Sequence, residues 1–224
     1  MKNIRRVVGS VFAFLGIGIF VYVLSPIIGY EYQSLGSGEY LSPVAENDVY
    51  VFSQSENYKD LTKASNWFEG SSAEFESTNI KYYSISISSL EIDRATVAIG
   101  GESLDDSLIQ YPGTALPGKR GNAVIFGHSI LPQFFDPEDY LTIFSTLPTI
   151  KKGEEIEVYY DGIVYRYLVE EKFEVQPTDI EILEQNSSDS YLTLVTCVPP
   201  GHPLRPQRLI VRARLTPYQG NTIR

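Results

Sequence analysis

One cysteine and two histidines are the residues of this chain best suited to nucleophilic chemistry. Cys197 ends the segment "TLVTC", and because the chain has no second cysteine, it cannot form an internal disulfide. A neutral thiol is a poor nucleophile, so a catalytic cysteine needs a histidine or a cation that favours the thiolate. Cys197 is therefore either a small buried hydrophobic residue or a reactive thiol with an activating partner elsewhere in the chain.

The two histidines are the candidate partners of this thiol. His128 closes the segment "GNAVIFGHS" directly after a predicted strand, where Gly127 and Ser129 allow the backbone to turn and expose the ring. His202 lies in the proline-rich segment "VPPGHPLRPQ", five residues beyond Cys197, and its position is less constrained. The residue pattern alone leaves both histidines open as partners.

Strand alternation predicts the direction in which Cys197 points. Successive side chains of a strand lie on opposite faces, so Leu192 and Leu194 share one face and Cys197 lies on the other. If the leucines face the core, the thiol faces outward, which favours a reactive role.

Arginines alternate along the last predicted strand, "RLIVRARL". Arg208 opens this strand and would lie beside Cys197 if the two strands are antiparallel neighbours. A guanidinium there could stabilise a thiolate, hold a substrate carbonyl or bind the oxyanion of acyl transfer. Arg212 and Arg214, on the same face, are better explained as cations that solvate the strand and balance an acidic domain.

Short apolar or alternating segments separated by turn residues begin at residue 81 and predict an all-β barrel or sandwich. Asp161-Gly162 in "YYDGIVY" fits a two-residue hairpin turn that requires positive φ. Helical spacing is found over Pro137–Leu147, and Thr178–Leu183 could form one or two turns. The predicted strands are Tyr82–Ile87, Ala95–Ile99, Asn122–Phe126, Glu155–Tyr160, Ile163–Glu170, Tyr191–Thr196 and Arg208–Leu215.

An uncharged run near the N-terminus, residues 7–30, is long enough to cross a membrane. Its 24 residues exceed the ~20 that a helix needs to span the hydrocarbon core. Lys2, Arg5 and Arg6 precede the run, so the positive-inside rule predicts that this end stays cytoplasmic and that the rest of the chain is extracytoplasmic. A cleaved signal peptide is the alternative, but its apolar region is usually ~7–15 residues and ends at a cleavage site of the A-x-A kind, and "SPII" at the end of this run has no such site.

Charge and composition divide the remaining chain. A net charge of −10 argues against nucleic-acid binding, because phosphate contacts need a concentrated Lys and Arg surface. Residues 31–80 are polar with no sustained period, which predicts an extracytoplasmic stalk in which 47–52 and 64–68 could dock locally or form a short helix. Residues 81–217 then form the β domain, and 218–224 a C-terminal tail.

The segments that contain Cys197, His128 and Arg208 resemble those of the sortase family of cysteine transpeptidases. Residues 193–197 read Thr-Leu-Val-Thr-Cys, the family's Thr-Leu-x-Thr-Cys, while "AVIFGHS" and "RLIVRA" match its histidine and arginine segments in the order His, Cys, Arg. The likeness extends over roughly residues 82–217. It implies an all-β fold, a closed eight-stranded β-barrel with one or two short helices, preceded by a transmembrane helix and a stalk.

The resemblance also implies a role for each residue. Cys197 would attack the Thr-Gly bond of a C-terminal sorting signal of Leu-Pro-any-Thr-Gly type and form a thioester. His128 would protonate the leaving amine and deprotonate the incoming one, and Arg208 would position the signal and stabilise the oxyanion. Thr196 is a weaker candidate for the oxyanion site. The implied partners are signal-bearing proteins and an amine acceptor, either a cell-wall precursor or a pilin lysine.

The segment "CVPPGHPLRPQR" departs from the family pattern. Its prolines predict a rigid loop around His202, and Arg205 competes with Arg208 for the arginine role, although Leu-Ile-Val follows only Arg208. No cofactor is implied. The acids of "FFDPEDY" and "EEIE" could bind calcium as in some sortases, but we expect a solvated surface and no required metal.

Two alternatives to a transpeptidase remain at this point. The first is an extracellular cysteine peptidase whose thioester is resolved by water, although papain-type enzymes place the cysteine ahead of the histidine. The second is a membrane-tethered β module that binds peptides or wall components, in which Cys197 has no chemical role.

Overall fold

The computed structural model describes residues 2–37, 60–70, 81–202, 204 and 206–217. The N-terminal helix α1 runs from Lys2 to Ser37. Its segment Val8–Tyr30, with a mean hydropathy of 2.4, is long and apolar enough to cross a membrane. The predicted tail 218–224 and the predicted docking segment 47–52 lie outside the described residues.

The described residues after α1 form eight β-strands. These strands are β1 (Lys81–Ile87), β2 (Ile92–Ile99), β3 (Leu108–Gln110), β4 (Gly121–Phe126), β5 (Glu155–Tyr160), β6 (Ile163–Val175), β7 (Ser190–Val198) and β8 (Gln207–Leu215). They close into a barrel in the order β1-β2-β3-β4-β7-β8-β6-β5. The pairs β2–β3 and β4–β7 are parallel, and the other neighbouring pairs are antiparallel. The predicted eight-stranded barrel is confirmed.

Strand alternation sorts the buried apolar side chains into two clusters. Leu192 and Leu194 of β7 point into the barrel and belong to its interior cluster. Val195 and Cys197 belong to a second cluster on the outer face, which we call the outer cluster. The predicted outward direction of Cys197 is thus observed, but the outer face is covered, and the residue is only 2% exposed.

The outer face is covered by two segments that flank the sheet. One consists of residues 60–70, which include the 3₁₀ helix Ala64–Asn66, and the other includes the 3₁₀ helix Ile180–Leu183 between β6 and β7. Trp67, Phe68 and Ile182 are buried in the outer cluster. Burial of apolar side chains of this size favours the docked arrangement by about 1.5–3 kcal/mol each.

Residues 60–70, which we call the covering segment, are also bound to the barrel through the backbone. The Ala64 N–H donates to Glu102 O (3.0 Å), and the Leu104 N–H donates to Thr62 O (2.9 Å). The Glu69 N–H donates to Pro177 O (3.0 Å). The chain that packs on the barrel therefore includes part of the region predicted as a stalk.

The turn at Asp161-Gly162 has the conformation that the sequence predicted. Tyr160 pairs with Ile163, and the two residues between them have positive φ angles of 52° and 74°. Positive φ at both central positions defines the type I′ turn, whose twist matches that of the strands it joins.

The helix predicted over residues 137–147 is wrong. These residues form successive turns that end in the 3₁₀ helix Leu147–Thr149. Local side chains compete for the backbone: the Asp136 carboxylate accepts from the Glu138 N–H (2.9 Å), and the Asp139 carboxylate accepts from the Leu141 N–H (3.0 Å). Such bonds favour turns over a continuous helix. The predicted apolar residues still serve the core, since Phe144 and Leu147 are buried.

Candidate active site

The strand pairing brings Cys197, His128 and Arg208 to one edge of the barrel. β4 and β7 are parallel, with Phe126 beside Val195, so the residues that follow β4 lie next to the end of β7. β8 is antiparallel to β7, so its first residues lie at the same edge. Cys197 pairs directly with Arg208. The topology thus converts three segments that are distant in sequence into one cluster.

Arg208 projects from β8 on the same face as Cys197. Directly paired residues of antiparallel strands have Cα atoms about 4.5–5.5 Å apart, so the two side chains are close neighbours. The guanidinium is buried and donates through Nη2 to Trp67 O and through Nη1 to Gln207 O, both at 3.2 Å. Its Cζ lies 5.4 Å from the Trp67 ring centroid. A buried guanidinium at this position favours a neighbouring thiolate.

His128 is held by bonds between the end of β4 and the end of β7. The Thr196 hydroxyl donates to Gly127 O (2.8 Å), and the Ser129 hydroxyl donates to Cys197 O (2.6 Å). The Phe144 N–H donates to His128 O (2.9 Å). These contacts fix the backbone on both sides of the imidazole relative to the cysteine.

Gly127 is required here by packing. A Cβ at this position would lie 2.5 Å from Phe144 and 2.6 Å from Leu108, closer than side chains tolerate. The glycine therefore lets the chain turn into His128 over a filled interior.

Thr196 braces the site in this arrangement. Its hydroxyl is fully buried and is donated to Gly127 O, so it is engaged before any substrate binds. The role predicted for this hydroxyl in the oxyanion site stays a prediction, and it would require the bond to Gly127 to break.

The covering segment lies over the cluster through Trp67. The indole ring is completely buried, stacks on Phe126 at 5.3 Å, and lies 5.9 Å from the His128 ring. Its backbone carbonyl accepts from Arg208. The covering segment thus shares the outer cluster with Cys197, which is 2% exposed. Sequence reasoning missed this contact, and the available signal was the aromatic pair "WF" within an otherwise polar stretch.

We expect Trp67→Ala to raise the rate of Cys197 alkylation by iodoacetamide by about 10²-fold. Removing a buried tryptophan costs about 3–5 kcal/mol, and here that loss acts on the docking of the covering segment, so the open population rises. The rate is measured by mass spectrometry on the folded protein. Ser65→Ala is the matched control, because Ser65 lies in the same segment and loses only a hydroxyl that donates to Glu102 in the loop after β2. Equal alkylation rates in the two variants would show that Trp67 does not limit access.

Carboxylates lie beside the imidazole. Asp105 Oδ1 is 3.7 Å from His128 Nε2. Partial burial raises the pKa of Asp105, and the charges of Asp106 and Asp60 act in the same direction. Hydrogen bonds from the Thr62 hydroxyl and N–H lower the pKa of Asp60, and the charge of His128 contributes to this decrease. The sequence contained no pattern that linked these acids to His128.

Of the other candidates from the sequence, one histidine and two arginines make contacts outside the cluster of Cys197, His128 and Arg208. His202 lies in the loop between β7 and β8, where its Nδ1 accepts from the Leu204 N–H (3.2 Å), as expected for a side chain that stabilises a turn. Arg205 lies outside the described residues. Arg212 pairs with Glu171 (3.1 Å), and Arg214 pairs with Glu170 (2.7 Å) and Asp189 (3.2 Å), consistent with a surface role.

The acids of "FFDPEDY" and "EEIE" were considered as possible calcium ligands. In the part of the chain that the structure describes, no three His, Cys, Asp or Glu side chains converge as a metal site. Asp136 and Asp139 of "FFDPEDY" accept hydrogen bonds within their own turns.

Comparison with known proteins identifies the family. A family model of the sortase domain matches residues 85–216, which is more than half of the 224-residue chain. The chain belongs to the sortase family. The matched region contains all eight strands except the start of β1, together with His128, Cys197 and Arg208.

Individual sortases resemble the chain in sequence and in fold. A sortase A of Streptococcus agalactiae is 36% identical over 73 residues, which are 33% of this chain and 28% of that protein. The match spans about a third of the length of the curated relatives. A Clostridium perfringens sortase D5 transpeptidase is 26% identical, with a TM-score of 0.52, over 62% of this chain and 83% of that one. A lid mutant of Corynebacterium diphtheriae sortase A is 27% identical, with a TM-score of 0.54, over 65% and 75%.

Proposed function

We propose that the protein is a membrane-anchored cysteine transpeptidase that cleaves a Leu-Pro-any-Thr-Gly sorting signal between Thr and Gly and transfers the threonyl acyl group to an amine. The observation that supports this proposal most directly is the pairing of Cys197 with Arg208 at the edge where His128 is braced. Family membership supports the reaction class. In this proposal Cys197 is the nucleophile, His128 the acid/base and Arg208 the cation that stabilises the oxyanion.

The first half of the reaction forms a thioester. The Cys197 thiolate attacks the carbonyl carbon of the scissile Thr-Gly bond, and the negative charge that develops on the carbonyl oxygen is stabilised by the Arg208 guanidinium. The C–N bond breaks as the His128 imidazolium gives its proton to the departing glycine amine. The products are an acyl-enzyme and a free glycyl peptide.

The second half transfers the acyl group. An amine attacks the thioester carbonyl, neutral His128 takes the amine proton, and the C–S bond breaks to release the Cys197 thiolate. The enzyme regains its starting charges, and one peptide bond replaces another. Because the thiolate and the imidazolium must coexist at the start, their titrations are coupled.

We also propose the orientation of the chain in the membrane. Val8–Tyr30 would span the bilayer with Lys2, Arg5 and Arg6 on the cytoplasmic side, and the barrel would lie outside. The acceptor amine is then a cell-wall precursor or a lysine of a pilin subunit.

The proposed function is tested by ligation with the full-length protein in detergent micelles. A library of pentapeptide signals is incubated with and without candidate amines, and the products are identified by mass spectrometry. We expect cleavage after threonine and amine-dependent formation of the ligated product. Cleavage that is indifferent to added amine would instead identify a hydrolytic peptidase, and binding without cleavage would identify a peptide-binding module.

A further inference from the structure

Asp105 lies next to the imidazole that the proposed reaction uses as its acid/base. The separation of 3.7 Å between its Oδ1 and His128 Nε2 is longer than a hydrogen bond, so the contact is an ion pair that forms when the ring is protonated. The His128 side chain is only 4% exposed, whereas the Asp105 side chain is 48% exposed. The carboxylate is thus the solvated partner of a buried ring.

The loop between β2 and β3 holds Asp105 at this position. The preceding residue, Leu104, is buried in the outer cluster, and its N–H donates to Thr62 O in the covering segment. Ser103 forms an isolated β-bridge with Lys63. Asp105 therefore follows a fixed anchor and does not belong to a freely moving surface loop.

Burial and charge act in opposite directions on His128. Removing an imidazole from water disfavours its charged form, and a carboxylate within ~4–6 Å favours it. Asp105 is the carboxylate in contact, and Asp60 of the covering segment also interacts with the ring charge. Asp106 interacts with Asp105.

Cations and the thiol complete the surroundings of the ring. Arg208, which shares the Trp67 ring with His128, disfavours a second positive charge nearby. Lys63 interacts with Asp60 and weakens the effect of that acid on the ring. A Cys197 thiolate favours the imidazolium. The Asp105 carboxylate therefore favours the charged form of His128, whereas burial and the Arg208 guanidinium both disfavour it.

We propose that Asp105 is a positioning residue that orients the His128 ring and favours its protonated form for the acid step of acyl transfer. This inference rests on the proposed function for its consequence in catalysis. The contact itself is measured independently of activity.

The test is a titration of His128 in full-length protein labelled with carbon-13 at histidine. The Cys197→Ala background removes the coupled thiol, and His202→Ala assigns the two histidine signals. We expect Asp105→Asn to lower the pKa of His128 by about 0.5–1 unit, because loss of the carboxylate leaves burial and Arg208 unopposed and the contact is partly solvent-screened. Asp105→Glu retains the charge and should restore most of the shift.

Asp106→Asn is the matched control, since it removes the same charge from the adjacent exposed position. It should move the titration of His128 much less than Asp105→Asn does. Equal shifts in the two variants would overturn the proposal in favour of a diffuse acidic field. No shift in either variant, or a loss of thermal stability in Asp105→Asn without a shift, would also overturn it.

Ligation provides the second readout in the protein with Cys197 intact. The thiolate–imidazolium fraction depends on the difference between the two pKa values, so the same change lowers maximal kcat/KM about 3–10-fold and moves the His128-dependent limb of the pH profile to lower pH. If Asp105→Asn shifts the titration of His128 but the parent protein shows no ligation, the Asp105 contact stands and the transpeptidase proposal is rejected. If the parent protein ligates but Asp105→Asn leaves the titration of His128 unchanged, the transpeptidase proposal stands and the role of Asp105 is rejected.

Discussion

We expect Cys197→Ala to abolish ligation, with a fall in kcat/KM of at least about 10⁴-fold. The substitution removes the atom that forms the thioester, and no other thiol exists in the chain. The fold should persist, because the residue contributes only a small side chain to the outer cluster. Ligation is measured by mass spectrometry of the product, and folding by circular dichroism.

Val195→Ala separates this chemical effect from packing. Val195 is fully buried on the same face of β7, two residues before Cys197, and loses more apolar volume when replaced by alanine. We expect reduced thermal stability with kcat/KM within a few-fold of the parent protein. Residual ligation by Cys197→Ala, or an equal loss in Val195→Ala, would contradict the assignment of Cys197 as the nucleophile.

The positions of Cys197 and Arg208 could be predicted from strand alternation. The period of two placed Leu192 and Leu194 on the core face and the thiol opposite, and an antiparallel neighbour placed Arg208 beside it. The structure contains this register. Alternation is informative here because one face of β7 packs inside the closed barrel and the other does not.

The sequence pattern did not predict β3, the full length of β6 or the turns at 137–147, because tertiary and local side-chain contacts determine these elements. β3 has only three residues, Leu108–Gln110, too few for a period to be visible. β6 continues five residues past the predicted end at residue 170, beyond a shift in its register with β8 that interrupts the alternation. The helical spacing at 137–147 correctly indicated that Phe144 and Leu147 are buried. The segment nevertheless forms turns, because the carboxylates of Asp136 and Asp139 accept hydrogen bonds from nearby backbone N–H groups.

The surroundings of the site were also beyond the sequence pattern. Trp67 lies in a polar stretch with no period, and its burial depends on the complementary surface of Phe126 and on backbone bonds to the loop after β2. Asp105 reaches His128 only because that loop and the end of β4 meet at one edge. Contacts of this kind depend on closure of the barrel and not on local propensity.

Arg208→Lys should lower kcat/KM about 10²–10³-fold while the barrel remains folded. Lysine keeps the positive charge but loses the planar fork that donates to Trp67 O and Gln207 O at the same time. The remaining ammonium cannot hold the covering segment and also address the substrate oxyanion with the same geometry. The kinetic constants are measured by ligation at saturating amine.

Arg212→Lys is the matched control for this prediction. Arg212 lies on the same face of β8, four residues further along, and pairs with Glu171. An exposed ion pair of this kind contributes about 0–1 kcal/mol, so activity should change little. Full activity of Arg208→Lys combined with an inactive Arg205→Lys would transfer the arginine role to the loop between β7 and β8. Comparable losses in Arg208→Lys and Arg212→Lys would contradict a specific role for Arg208, since both substitutions keep the charge and remove a guanidinium fork from the same face of β8.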